Sequence, residues 1–276
     1  MFSLDGYQAV QAKGGVVRRT DRRVLSVSGA DRASWLQGLL TNDVQAMAEG
    51  EVRYAAYLTP QGRMITDMNV VAHGDRLLLD VPASLAAPLR DKLDALIFSE
   101  DAQITDESGR VLVWTVVNDR LIDVVAESLP AEFKTLPEID LDTFEVIRIE
   151  RGVPKFLADM SEDTIPLEAG IEDRAISFSK GCYVGQEVIV RVTHRGGGRV
   201  AKRLVKWHAD DSAPIVPMPD SQILSGEKTI GKVTSSAFSP SLNKVVGLGY
   251  VHRDFVDPGT AITIVWNDTR VAAVVT

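Results

Sequence analysis

Lys180-Gly181-Cys182-Tyr183-Val184-Gly185-Gln186-Glu187 holds the only cysteine of the 276-residue chain. Its two glycines and its polar side chains are poor core material, so the string reads as a candidate site. A helix predicted from about Tyr183 to Thr193 puts Cys182 near its first turn. Unpaired backbone N–H groups, the positive end of the helix dipole and the Lys180 ammonium would all favour thiolate there. Gln186 falls four residues after Cys182, on the same face. Glu187 and Arg191 have the spacing of an ordinary surface ion pair. The competing reading is a buried, inert thiol beside that ion pair. On the residues alone both stay open.

Upstream, Val24–Val27 reads as a strand, and Asp31 as the cap of a helix carrying Ala33, Trp35, Leu36, Leu39 and Leu40. Residues 51–59 and 63–71 read as a hairpin turning at Pro60-Gln61-Gly62, with a further strand at 76–81. Apolar spacing predicts a helix over 84–98, a buried strand over 111–117 and another helix over 119–128. Thr143–Arg151 reads as a helix stopped by Gly152 and Pro154, and 155–181 as a long ordered loop. After the joint Gly196-Gly197-Gly198, short strands alternate with turns, broken by the proline-rich stretch Pro214–Pro219. That pattern suggests a small antiparallel barrel. The fold class is therefore α+β with a C-terminal antiparallel β-barrel.

Thirty basic against 38 acidic residues leave a net charge of −8, which argues against broad nucleic-acid or anionic-membrane binding. No apolar run is long enough to span a membrane. Met1–Gly6 lacks a secretory pattern, and a single cysteine suits a reducing cytoplasm. There is no Cys-x-x-Cys pair, and His73, His194, His208 and His252 lack metal-ligand spacing, so no metal site is expected.

The Lys180–Glu187 string followed by Arg191 resembles the signature of the folate-binding YgfZ-type proteins, relatives of the glycine-cleavage T-protein, an aminomethyltransferase. The resemblance continues in order along the chain. It runs through Gly29-Ala30-Asp31, Leu36-Gln37-Gly38, Thr41-Asn42-Asp43-Val44 and Thr59–Arg63 followed by Asp67. It resumes at Arg148–Gly152, Ile165–Gly170, Gly231–Ser235 and Gly247–Val251. It implies three domains around a central folate cavity: a discontinuous first domain (1–49 and 139–198), an inserted α+β domain (50–138) and the barrel (199–276).

The resemblance implies tetrahydrofolate, or a one-carbon derivative, as cofactor. Glu168 would bond the pteridine ring, since a carboxylate accepts two parallel N–H bonds from an aminopyrimidine edge. Asp67 would lie near the reacting nitrogen, facing the same side as Ile65 and Asn69. Arg191 and Arg195 would meet the glutamate tail. Cys182 would carry the thiol function of the Lys180, Gly181, Tyr183, Gly185, Gln186, Glu187 motif. The role implied is an accessory one in iron–sulfur cluster assembly or repair, with client or assembly proteins as partners and indirect effects on tRNA modification. The alternatives are a true aminomethyltransferase, with Asp67 as general acid/base, or a folate-binding regulatory module without chemistry.

Overall fold

The computed structural model of the protein describes residues 1–195 (the Arg195 side chain excepted), 197–210 and 215–276. The readings of Arg195 as a tail contact, of Gly196 in the glycine joint and of Pro214 in the proline-rich stretch lie outside the described residues. The chain forms two compact units. One comprises Met1–Leu141 with Ile171–Val188, the other Asp142–Gly170 with Ile189–Thr276.

The first unit opens with α1 (Leu4–Lys13), whose Gly6 N–H is capped by Ser3 Oγ at 3.0 Å. There follow β1 (Gly15–Arg18), β2 (Arg22–Ser28), α2 (Arg32–Leu39), β3 (Val52–Leu58), β4 (Met64–His73), β5 (Arg76–Pro82) and α3 (Ala86–Asp94). β6 (Gln103–Asp106), β7 (Leu112–Val117), β8 (Leu121–Ala126) and β9 (Glu138–Ile139) complete its named strands. The strands make two sheets, ordered β3-β4-β5-β2-β6 and β8-β7-β1-β9. β1 and β2, from outside residues 50–138, are interior strands of these sheets.

The five-stranded sheet is buried on both faces. Leu25, Val27, Met68, Val70 and Leu79 pack with Leu36 of α2 and Leu89 and Leu93 of α3. Val24, Val71 and Leu78 point the other way, against Val111 and Val113 beside β7. This two-sided burial explains the runs Val70-Val71 and Leu77-Leu78-Leu79, because neighbouring side chains on a strand serve opposite faces.

Two sequence expectations fail among the strands and α2 of this unit. The stretch 119–128 holds the strand β8 rather than a helix, pairing antiparallel with β7 from Leu121↔Val117 to Ala126↔Leu112. Ile122, Val124 and Val125 are β-branched, and the available hydrogen-bonding edge of β7 outweighs their weak helical spacing. Asp31 stands before α2 but makes no side-chain cap. Its Oδ2 accepts from the Asp101 N–H at 2.8 Å and ties the helix entrance to a distant loop.

The second unit carries most of the helix Leu141–Glu150, stopped at Gly152 (φ 71°), and a closed six-stranded antiparallel barrel. Its strands are β10 (Lys202–Ala209), β11 (Gln222–Ser225), β12 (Lys228–Ser239), β13 (Lys244–His252), β14 (Ala261–Trp266) and β15 (Thr269–Val275). Trp207, Val233, Val251 and Ile264 fill its interior. Gly247 makes room for the indole, because a Cβ there would lie 2.2 Å from a Trp207 ring carbon. No helix among the described residues is long and apolar enough to cross a membrane.

Candidate functional site

Five of the eight residues from Lys180 to Glu187 have structural consequences within the first unit. The Lys180 ammonium donates to three backbone carbonyls, those of Gln37 (2.7 Å), Leu40 (2.7 Å) and Asn42 (2.9 Å). It also lies 5.2 Å from the centroid of the Tyr183 ring. Burial pushes the ammonium down to about 8, with Asp43 pulling the other way. Its three protons match three acceptors, so Lys180 is a clamp on the end of α2 and the turn that follows.

Gly185 has φ +85°, and a Cβ there would approach the Thr59 carbonyl oxygen to 2.5 Å. Close contact between this segment and the 59–62 hairpin turn therefore requires glycine. Gly62 answers from the other side: at φ +75°, its Cβ would meet Val188 Cβ at 2.8 Å. Gln186 Oε1 accepts from the Tyr183 N–H at 3.3 Å. Tyr183 is buried, which pushes its hydroxyl up to about 12. Val184 donates its backbone N–H to Gly38.

The helix begins at Gln186, not near Tyr183, and after Val190 it passes into a π-helical turn, Arg191–Arg195. Cys182 thus precedes the helix and is exposed, as are Gly181 and Glu187. The expectation of a thiol in the first helical turn, sharing one face with Gln186, is corrected. The positive-φ glycine at 185 and the turn at 184–185 come first, and Gln186 is spent on the turn itself. Arg191 is also exposed.

Asp67 sits in β4 with only 4% of its surface exposed. Its Oδ1 accepts from Arg22 Nη1 at 3.2 Å and its Oδ2 from the Tyr54 hydroxyl at 2.9 Å. Arg22 also donates through Nε to Asp80 Oδ1 (2.7 Å), and Asn69 donates to Asp80 Oδ2 and Asp123 Oδ2, each at 2.9 Å. Burial works against the Arg22 charge, but Asp80 and Asp67 overcome it and hold the guanidinium above its ordinary value. Burial pushes the Asp80 carboxyl upward against the pull of Arg22. Burial and then Asp67 raise the Tyr54 phenol well above its usual range. The Arg174 guanidinium lies 4.4 Å from the centroid of the Tyr54 ring. No hydrogen bond or ion pair among the described residues links Asp67 to Lys180–Glu187.

Glu168 belongs to the second unit. Its backbone carbonyl accepts from the Leu204 N–H, and its Oε2 lies 4.0 Å from Lys202 Nζ. The same ammonium is 4.9 Å from the centroid of the Tyr250 ring. The Tyr250 hydroxyl is buried, and no hydrogen bond of normal geometry reaches it; Thr164 is its polar neighbour. Burial raises this phenol. A carboxylate acceptor and a phenol hydroxyl, both beside the Lys202 ammonium, offer the mixture of acceptor and donor that the polar edge of an aminopyrimidine needs. These residues therefore fit the pterin end of a folate. Arg148, in the quoted central segment, is a buried clamp instead: it pairs with Asp159 (2.7 Å) and Glu145 (2.7 Å) and donates to Ser235.

Arg22, Tyr54, Asp80 and Lys202 are absent from the residues singled out in the sequence, and Tyr250 stands there only within Gly247–Val251, with no role of its own. Arg22 sits in the run Arg18-Arg19-Thr20-Asp21-Arg22-Arg23, which looks like a solvated turn. Only the β2–β5 pairing, with Arg22 opposite Pro82, carries it inward.

Comparison with known proteins agrees with this architecture. A model of the GCVT N-terminal domain matches residues 3–117, and one of the glycine cleavage T-protein C-terminal barrel domain matches residues 202–276. The chain is 28% identical to an iron–sulfur cluster assembly factor IBA57 homolog of Neurospora crassa, over 79% of this chain and 59% of that one. It therefore spans less than two thirds of that relative's length. It is 23% identical to the aminomethyltransferase of Bacillus subtilis, over 94% of this chain and 85% of that one. The crystal structure of the glycine cleavage system aminomethyltransferase T from Bartonella henselae superposes with a TM-score of 0.83 at 16% identity, covering 99% of this chain and 87% of that one. With both its end domains matched and its fold shared over nearly its whole length, the chain belongs to the glycine-cleavage T-protein, or aminomethyltransferase, superfamily.

Proposed function

We propose that this chain is a tetrahydrofolate-binding protein of the aminomethyltransferase type, with Asp67 as the carboxylate that serves the reacting nitrogen. The observation that carries the reading is Asp67 itself. It is a carboxylate kept in the middle of a buried strand, with one oxygen on a guanidinium and the other on a phenol. Burying a charge is costly unless it is paired, and such clusters are over-represented where proton transfer is needed. Glu168 and Tyr250 would hold the pterin end, and Arg191 the tail. A bound tetrahydrofolate supplies the nitrogen that accepts a one-carbon unit; Asp67 holds or takes up the proton at that nitrogen, and Tyr54 and Arg22 keep its carboxylate oriented.

Calorimetry with tetrahydrofolate tests the shared premise. Wild type binds, and Glu168→Ala loses at least about tenfold in affinity. Absence of binding by wild type removes the reading. Aminomethyl transfer from a lipoyl carrier protein then tests Asp67: Asp67→Asn keeps affinity within about threefold and loses about 100-fold or more in turnover. Wild type that binds folate without turnover supports the regulatory module instead.

A second reading is favoured by a different observation, the exposed thiol of Cys182 on a braced segment. In it, the protein binds folate and assists iron–sulfur assembly or repair in client enzymes of a reducing cytoplasm, with indirect effects on tRNA modification. The iron–sulfur assembly factors among its relatives support it. Cys182→Ala then leaves folding and folate affinity intact and abolishes support of cluster enzymes; full complementation by that variant excludes a role for the thiol.

A further inference from the structure

The second unit carries an open groove of about 490 Å³, apart from the residues placed at the folate site. Its walls bear three guanidinium groups, Arg199, Arg203 and Arg253, against one carboxylate, Asp254, and Val200 and Val256 supply an apolar floor. Arg203 lies near the start of β10 and Arg253 directly follows β13. The two strands pair at Lys202↔His252 and Arg203↔Val251, so the barrel fixes both arginines on one rim. The Arg253 N–H bonds the Ala201 carbonyl, which ties the segment bearing Arg199 to the same rim.

Arg203 has a partner of its own, and the weakly compensated charges are those of Arg199 and Arg253. Arg199 is exposed and makes no hydrogen bond or ion pair among the described residues. Arg253 comes only to 3.8 Å of Asp254, whose other carboxylate oxygen lies 3.3 Å from His252 Nδ1. Among the described residues, Gly197 and Gly198, at φ +58° and +73°, have nothing within 4 Å of where a Cβ would be. A chain of net charge −8 that sets Arg199 and Arg253 beside one concavity, against the single carboxylate of Asp254, concentrates positive potential there. Guanidinium forks match carboxylate and phosphate oxygens in pairs.

We propose that this groove binds a small oligoanion, a compound carrying two or more carboxylate or phosphate groups, independently of the folate reading. Titration calorimetry on the full chain at low salt tests it with two probes, inorganic tripolyphosphate and citrate. At least one binds with a Kd of about 10–100 µM, and the affinity falls as salt rises. Arg199→Ser combined with Arg253→Ser weakens it at least about tenfold with an unchanged melting temperature. Binding of tripolyphosphate alone assigns the groove to phosphorylated compounds, and binding of citrate alone to polycarboxylates. Saturating tetrahydrofolate leaves either titration unchanged. No saturable binding of either probe below about 5 mM, an affinity indifferent to the double substitution, or competition by tetrahydrofolate overturns the proposal.

Discussion

Two charged sites of the first unit, around Asp67 and around Lys180, are neutralised in two different ways. Around Asp67, charge meets charge: Arg22 is shared by two carboxylates, and Asn69 bridges Asp80 to Asp123. Around Lys180, the hydrogen bonds all go to neutral dipoles, the carbonyls of Gln37, Leu40 and Asn42, and Asp43 acts only at longer range. The outcome differs accordingly. Opposite charges lift Arg22 above its ordinary pKa despite burial, whereas burial takes Lys180 down to about 8. Ion pairing preserves an ionised cluster suited to chemistry; carbonyl coordination makes a brace whose charge is nearly titratable at physiological pH.

The contrast breaks most visibly at Arg22. Arg22→Met strands Asp67 and Asp80 without their shared cation, and denaturant unfolding reports a loss of about 3–5 kcal/mol. Adding Asp80→Asn recovers part of that loss, because one fewer buried carboxylate is left uncompensated. Lys180→Met leaves three carbonyls without their donor but no orphaned charge, so its cost is smaller, about 2–3 kcal/mol by the same measurement. A Lys180→Arg chain that folds as stably as wild type contradicts the three-carbonyl geometry, which a planar fork does not reproduce.

The two motif glycines sharpen the comparison further. Gly185→Ala combines a left-handed backbone with a Cβ 2.5 Å from the Thr59 carbonyl oxygen and costs about 1–3 kcal/mol. Gly181→Ala has nothing within 4 Å of the new methyl group and changes stability by less than about 0.5 kcal/mol. Equal effects would mean that the segment does not brace against the hairpin turn. The smallest effect is a slope with pH. Lys180 has a lowered folded-state pKa, so the unfolded chain binds more protons between about 8 and the ordinary 10.5. This group's contribution therefore favours the folded state increasingly as pH rises through that window, and its cost is fully present below it. The wild-type minus Lys180→Met difference, followed by denaturation from pH 7.5 to 10.5, isolates the term from tyrosine titration.

Much of this was legible in the residues. The hairpin around Pro60-Gln61-Gly62, the helix ending at Gly152 and the barrel all follow from local rules of alternation, turn chemistry and capping. Asp67 and Asn69 were legible as one face of a strand, and they do enter one polar cluster, linked through Arg22 and Asp80. The misreadings have a common cause. Residues 119–128 were free to be helix until β7 offered an edge, and Asp31 was free to cap α2 until Asp101 offered an N–H. Cys182 was free to join a helix until Gly185 and Gln186 were taken by the turn.

By itself, then, the sequence determined the α+β class and the terminal barrel, because these depend on spacing along the chain. Only the tertiary structure decided what the polar residues do. Lys180 reaches back about 140 residues to its carbonyls, and Asp67 meets Arg22 across 45. The energy of a buried charge depends on partners brought together by packing, and no local pattern records them.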